Sequence, residues 1–280
     1  MPENRPSTPY IDAIGISHSR AGPDARIVCL VPSITELLFV LGLGERIVGR
    51  TGFCVHPRAE LRRVPKVGGT KDFDLEKLQA LAPTHLIVNV DENPKERVEA
   101  AAQFVPEVIV THPMGPLDNP PLYRLLGGIF GREEQAEELA RRFDAAYRAA
   151  VEATKKLPRE RVLYLIWKNP WMTVSRDTYI ARTLEAVGWE QVEVGSNDRY
   201  PVIRLESLLG RVDRVILSSE PYAFRQRDAD AVRETMNICS PVPGHAVGTI
   251  AVSLVDAQMT SWYGSRAIEG MSYLRQLRGT

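Results

Sequence analysis

Cysteine is scarce. Cys29, Cys54 and Cys239 are the only three in 280 positions, which excludes a disulfide framework and leaves at least one thiol free. Neither sign of charge prevails: 35 basic side chains meet 35 acidic ones, and the sequence pI is near 7.0. A neutral chain lacks the basic footprint that binding to phosphates demands, so nucleic acid is excluded as a partner. No stretch approaches the roughly 18 apolar residues of a membrane span. Residues 1–25 are polar and lack the basic start, apolar run and small-residue cleavage site of a secretory signal. As written, the chain is expected in the cytoplasm, or in the periplasm if a signal peptide has been removed. GxGxxG, GxxxxGK, GxSxG and HExxH are all missing, so the common nucleotide, hydrolase and zinc-protease signatures give no enzyme reading.

What is present is an ordinary globular composition, 44% apolar, on a chain long enough for two lobes. Residues 1–25 read as a flexible polar leader, with ordered structure expected from Arg26. Ile27–Val31 predicts a buried parallel strand, followed by a helix capped by Ser33 or Thr35 with the stripe Ile34, Leu37, Leu38 and Leu41. Arg46–Gly49 predicts a second strand, Thr51–Pro57 a loop, and Leu75–Ala82 a helix capped by Asp74. His85–Val90, a helix over Lys95–Gln103 and a strand over Glu107–Thr111 complete a first α/β lobe at 26–115. Pro116, Pro120 and Pro121 then break the alternation. Arg132–Lys156 contains no Gly or Pro and predicts one long helix within a connector, 116–156. A second α/β lobe follows at 157–280. Its strands are expected over Val162–Trp167, Met172–Val174 and Val212–Ser218, and its helices over Thr178–Val187, Ile203–Leu209, Asp228–Met236 and Ser261–Leu277. Strand–helix alternation of this kind gives mostly parallel sheets covered by helices.

The segments RIVCLVPSITELLFVLGLGERIVG and VPKVGGTKDFDLEKLQALAPTHLIV, with the uninterrupted helix after them, are similar to the helical-backbone metal receptor family. These are the substrate-binding proteins of vitamin B12 and ferric-siderophore ABC importers. The resemblance runs from about Arg26 to the end and is closest to the cobalamin-binding branch. It implies two Rossmann-like lobes joined by one long backbone helix, with a cobalamin-like corrinoid or other metal chelate bound in the groove between them. It also implies a small-molecule ligand, an ABC importer permease as partner if the chain reaches the periplasm, and no enzymatic activity. The docking carboxylates of the family fall on Glu76 in DFDLEKL and Glu206 in IRLESLL. Importer proteins of this family carry a secretion signal or a lipobox cysteine, and this sequence shows neither near its start. FCVHP, KNPWMTV and SWYGSR resemble a subgroup of cytosolic relatives.

Candidate ligand-binding residues gather where strands end, the side on which open α/β sheets bind ligands. In Thr51–Pro57, Cys54 and His56 are two apart and project together from an extended segment, as a metal or axial-ligand pair. The competing reading is a packed Cys beside a solvated His. Phe53 offers a ring to a flat ligand. Trp171, between Pro170 and Met172, matches a cleft aromatic of the family, against the alternative of core packing. Glu220 and Tyr222 follow the Val212–Ser218 strand, where Glu220 accepts from ligand amides or only caps a turn. Trp262 and Tyr263 are expected about 100° apart on the opening of the last helix, with Arg266 on the face of Trp262 to meet an anionic group. His112 and His245 are isolated. A second function stands beside the first: an intracellular metal-binding protein or enzyme using Cys54 and His56 on the same fold. A regulatory protein with an empty groove is the third.

Overall fold

A computed structural model describes residues 10–238 and 250–279. It divides into two compact units. The first comprises residues up to Pro113 together with Asp118–Arg142 and Tyr263–Ser265, and the second the remainder. Cys239 and His245 lie outside the described residues.

The first unit opens with β1 (Tyr10–Ile11) and β2 (Ser17–His18), an antiparallel hairpin inside the stretch read as a flexible leader. The reason was not visible as periodicity, because the hairpin is held by side chains. Asp12 accepts the Ile14 and Ile16 amides through one carboxylate oxygen and the Val110 amide through the other. His18, buried, reaches Asp12 and Glu107 with its two ring nitrogens, at 3.3 and 3.0 Å. Ordered chain thus begins well before Arg26.

The sheet of this unit is built from β3 (Ile27–Cys29), β4 (Ile47–Arg50), β5 (His85–Asn89) and β6 (Glu107–Thr111), all parallel, in the order β4-β3-β5-β6. Helices α1 (Pro32–Val40), α2 (Arg58–Leu61), α3 (Leu75–Ala80) and α4 (Lys95–Ala101) connect them. Strands covered on both faces need apolar side chains on both. Val28, Leu86 and Val88 accordingly pack with Leu30, Val67, Phe73 and Leu78 in one core. Asp74 caps α3 as expected, accepting from the Lys77 amide. The cap of α1 differs: Val31 takes the position, Pro32 fills the first turn where an amide is dispensable, and Thr35 turns its hydroxyl back onto the Val31 carbonyl.

Two helices follow where one was expected. Asn119–Phe130 forms α5, started rather than broken by its prolines, which sit in the first turn. Gly131 ends it at φ 68°, a left-handed conformation open to glycine at little cost. The long helix, α6, then runs from Glu133 to Thr154 without interruption for 22 residues. The boundary between the units falls inside it, between Arg142 and Phe143.

The second unit carries β7 (Glu160–Trp167), β8 (Met172–Thr173), α7 (Tyr179–Glu185), β9 (Trp189–Gln191), β10 (Arg214–Ser218), α8 (Gln226–Ile238), β11 (Ala251–Val255), α9 (Ala257–Ser261) and α10 (Arg266–Arg278). Strands β11, β10, β7 and β9 are mutually parallel and β8 folds back antiparallel on β7. Its core gathers Leu163, Leu165, Val215, Leu217, Val232 and Met236. Ile203–Leu209, read as a helix, contracts to one 3-10 turn at Leu205–Leu208. The single last helix expected over Ser261–Leu277 is two. Trp262 is extended at φ −83° and ψ 119°, and Gly264 is left-handed at φ 81°.

The architecture is therefore mixed α/β with two mainly parallel sheets and one long helix.

Candidate ligand-binding site

All strands of the first sheet run the same way, so the loops after Cys29, Arg50, Asn89 and Thr111 share its carboxyl end. The Thr51–Pro57 loop divides its chemistry between inside and outside. Phe53 is 62% exposed, its ring edge beside Gly69. Cys54 is 1% exposed. Its thiol lies 3.1 Å from the Thr35 hydroxyl and 3.2 Å from that of Thr51. The carbonyl beside it is held by Arg50, whose guanidinium also binds those of Thr51 and Leu61. Burial pushes the Cys54 thiol above its ordinary range, the opposite of a nucleophile or metal-ligating thiolate. His56 is half-buried. Cys54 is thus engaged by two threonine hydroxyls, while Val55, between it and His56, is exposed. Among the described residues no three His, Cys, Asp or Glu side chains are grouped to hold a metal ion.

The second unit is different in kind. Trp167 ends β7 and is 40% exposed, its ring edge-on to Tyr222 at 5.7 Å. Tyr222 leans on Phe224 at 4.7 Å, and Phe224 stacks on Trp171 at 6.1 Å with the rings 4° from parallel. Trp171 packs against the core of this unit, and the Lys168 ammonium lies over its ring at 5.5 Å. Lys168 is itself paired to the buried Asp228 at 2.7 Å. One aromatic tier thus leads from the interior to solvent. Glu220 is exposed beside it and accepts from Gln258 Nε2 at 3.1 Å. Trp262 and Arg266, both half-buried, do meet, with the guanidinium 5.5 Å over the ring. Their helical spacing is not the cause, since the chain between them is a turn.

Tyr263 is not a surface aromatic. It is 7% exposed and donates its hydroxyl to Glu92 Oε1 at 2.5 Å within the first unit. Glu92 was absent from the sequence reading. Desolvation of its carboxyl raises the pKa to about 7, against the lowering influence of the Tyr263 hydroxyl and Lys71. No motif marks it, and only its place after β5 could have drawn attention. Glu76 and Glu206 are both exposed, the first on α3 and the second in the 3-10 turn. His112 lies 3.6 Å from the Asp91 carboxylate.

Residues 27–237 match the periplasmic binding protein family. The chain belongs to that family. A vitamin B12-binding protein of Vibrio vulnificus is 24% identical over 206 residues, covering 74% of this chain and 75% of the relative. Among solved structures, the periplasmic vitamin B12-binding protein BtuF of Vibrio cholerae superimposes with a TM-score of 0.76 at 16% identity, over 92% of this chain and 97% of that one. The periplasmic heme-binding protein RhuT of Roseiflexus sp. RS-1, in apo form, gives 0.73 at 19% identity, over 91% and 98%. At these identities the structures establish the fold. That this family member has two mainly parallel sheets and one long helix agrees with them.

Proposed function

We propose that this protein binds a flat metal chelate, a cobalamin-like corrinoid or a related tetrapyrrole, as cargo and performs no chemistry on it. The carrying observation is the aromatic tier at the carboxyl end of the second sheet, where Trp167 and Tyr222 are presented over Phe224 and Trp171. Rings backed by a packed core offer a flat ligand apolar contact at little entropic cost. Arg266, stiffened over Trp262 in the same unit, suits an anionic substituent. Such a ligand arrives with its metal already held by its own nitrogens, and among the described residues no three His, Cys, Asp or Glu side chains are grouped to take a bare ion. The relatives named for vitamin B12 and heme support this class. Their description as periplasmic supports the periplasm as the place of action, and the partner there would be an ABC importer permease. Glu76 and Glu206 would be the docking carboxylates, and their exposure is what docking needs. No helix of the described residues is long and apolar enough to cross a membrane.

The test is a titration of the purified chain with cyanocobalamin and with hemin, followed by tryptophan quenching and visible absorption. Saturable 1:1 binding of either, weakened at least tenfold by Trp167→Ala, supports the reading. Absence of binding by both, with stoichiometric zinc lost on Cys54→Ser, replaces it by the metal-protein alternative.

A further inference from the structure

A carboxylate oxygen accepts hydrogen bonds and donates none, so a group held between two carboxylates must bring two donors. That demand falls on His18. Its Nδ1 stands 3.0 Å from Glu107 Oε2 and its Nε2 3.3 Å from Asp12 Oδ2. The residue is 4% exposed, which leaves little room for water to make up a missing donor. A neutral imidazole carries one N–H and one lone pair, whereas the imidazolium carries two N–H groups. Only the charged ring satisfies both contacts.

The two strands of the hairpin are fastened differently. Beside β1, the Tyr10 ring lies so close over α5 that a Cβ at Gly128 would stand 2.0 Å from it. The Ala13 amide donates to the Val110 carbonyl at 3.0 Å. Asp12 is occupied by amides, Ile14 and Ile16 on Oδ1 and Val110 on Oδ2, all within 3.0 Å. Packing and backbone amides thus hold the first strand. The second depends on a titratable side chain, because His18 is linked to the sheet through Glu107 at the start of β6. Its bond to Asp12 runs within the hairpin.

We propose that His18 is a proton-operated clasp, fastening β2 to β6 through Glu107 while its ring is charged and letting go when the ring loses a proton. Which partner is released follows from exposure. The Asp12 side chain is 0% exposed and that of Glu107 is 42% exposed. The remaining N–H therefore stays with Asp12, and Glu107, which water can serve, turns away. The lone pair left on Nδ1 would face a carboxylate oxygen, so deprotonation opens this contact rather than tightening it. Charged and titratable groups reach the ring from three elements: Asp12 in the turn between β1 and β2, Glu107 on β6 and His85 on β5. Burial holds the His85 imidazole below its ordinary range, with Glu107 opposing and His18 adding to the effect. The second imidazole thus stays neutral beside a charged His18. The clasp does not rest on the function proposed above.

Hydrogen exchange of the full chain between pH 5.5 and pH 9, corrected for intrinsic rates, tests the clasp together with nitrogen-15 shifts of the His18 ring. In the wild type both ring nitrogens should be protonated at the acid end. Peptides covering Tyr10–His18 should lose about tenfold in protection as the ring titrates, the worth of one hydrogen bond between charged groups. Glu107→Gln supplies a carboxamide whose oxygen accepts from the imidazolium and whose nitrogen donates to the neutral ring. Protection in that variant should vary by less than about twofold over the same range. His18→Phe keeps a ring and loses both nitrogens, and should exchange at every pH at least as fast as the wild type at pH 9. A flat wild-type profile overturns the clasp. So does a pH dependence unchanged in Glu107→Gln, or a loss of protection away from the pH at which the ring titrates. Protection in His18→Phe equal to that of the wild type at pH 5.5 overturns it as well.

Discussion

The carboxyl ends of the two sheets use their side chains in opposite ways. In the first unit the reactive groups are turned inward: Cys54 between two threonine hydroxyls, Tyr263 onto Glu92, Arg50 onto three carbonyls. Phe53 and, less fully, Val55 stand out from that loop. In the second unit four rings run from the half-buried Trp171 through the buried Phe224 and the half-buried Tyr222 to Trp167 at the surface. The difference teaches that a polar group near a strand end is as ready to complete the interior's hydrogen bonds as to meet a ligand. A large ring backed by other rings cannot be hidden so cheaply.

The comparison can be broken or sharpened by measurement, beginning with the largest effect. Glu92 has its folded-state pKa raised to about 7 from 4.5, so its contribution to stability is present in full below pH 4.5 and is lost as pH rises through 7. The loss amounts to roughly 3 kcal/mol. Urea unfolding at pH 4.5 and pH 8 should show it in the wild type and not in Glu92→Gln. Trp171→Ala removes a ring stacked on Phe224 and should cost about 2–3 kcal/mol as well as ligand affinity. A urea midpoint unchanged in that variant would place the ring outside the packed tier. Cys54→Ser should cost about 1 kcal/mol, since a small buried thiol is exchanged for a more polar hydroxyl. In the native wild type, Cys29 and Cys54 should resist Ellman's reagent until urea unfolds the chain; rapid labelling of Cys54 would reverse the inward reading. Phe53→Ala should leave stability within about 0.5 kcal/mol and alter only the cyanocobalamin or hemin titration.

Much of this was legible from residue pattern alone. Glu107–Thr111 is a strand at its expected bounds, and the stretch free of Gly and Pro became α6. Both signals are strong because a buried parallel strand and a long amphipathic helix repeat their pattern over many residues. Misreadings came where one residue type has two uses. Pro120 and Pro121 looked like breaks and are the first turn of α5. Trp262 and Tyr263 looked like helix, until the left-handed Gly264 gave each its own surroundings. β9 and β11 were missed because three to five residues with mixed burial carry little periodicity. Among the candidate residues, Phe53, Trp171 and Tyr222 were visible as residue types near strand ends, and Arg266 at the opening of the last helix. The direction of Cys54 and the partner of Tyr263 were not, because both depend on residues distant in sequence, Thr35 and Glu92.

The short hairpin at the start has a practical consequence. Strand β6 lies at the margin of its sheet, and there Ala13 and Asp12 bond both the carbonyl and the amide of Val110. Trimming the chain at Arg26, where sequence pattern alone would place the first ordered residue, would bare those groups to any other extended peptide. Such a truncated protein is expected to self-associate on concentration, so expression should retain Tyr10 through His18.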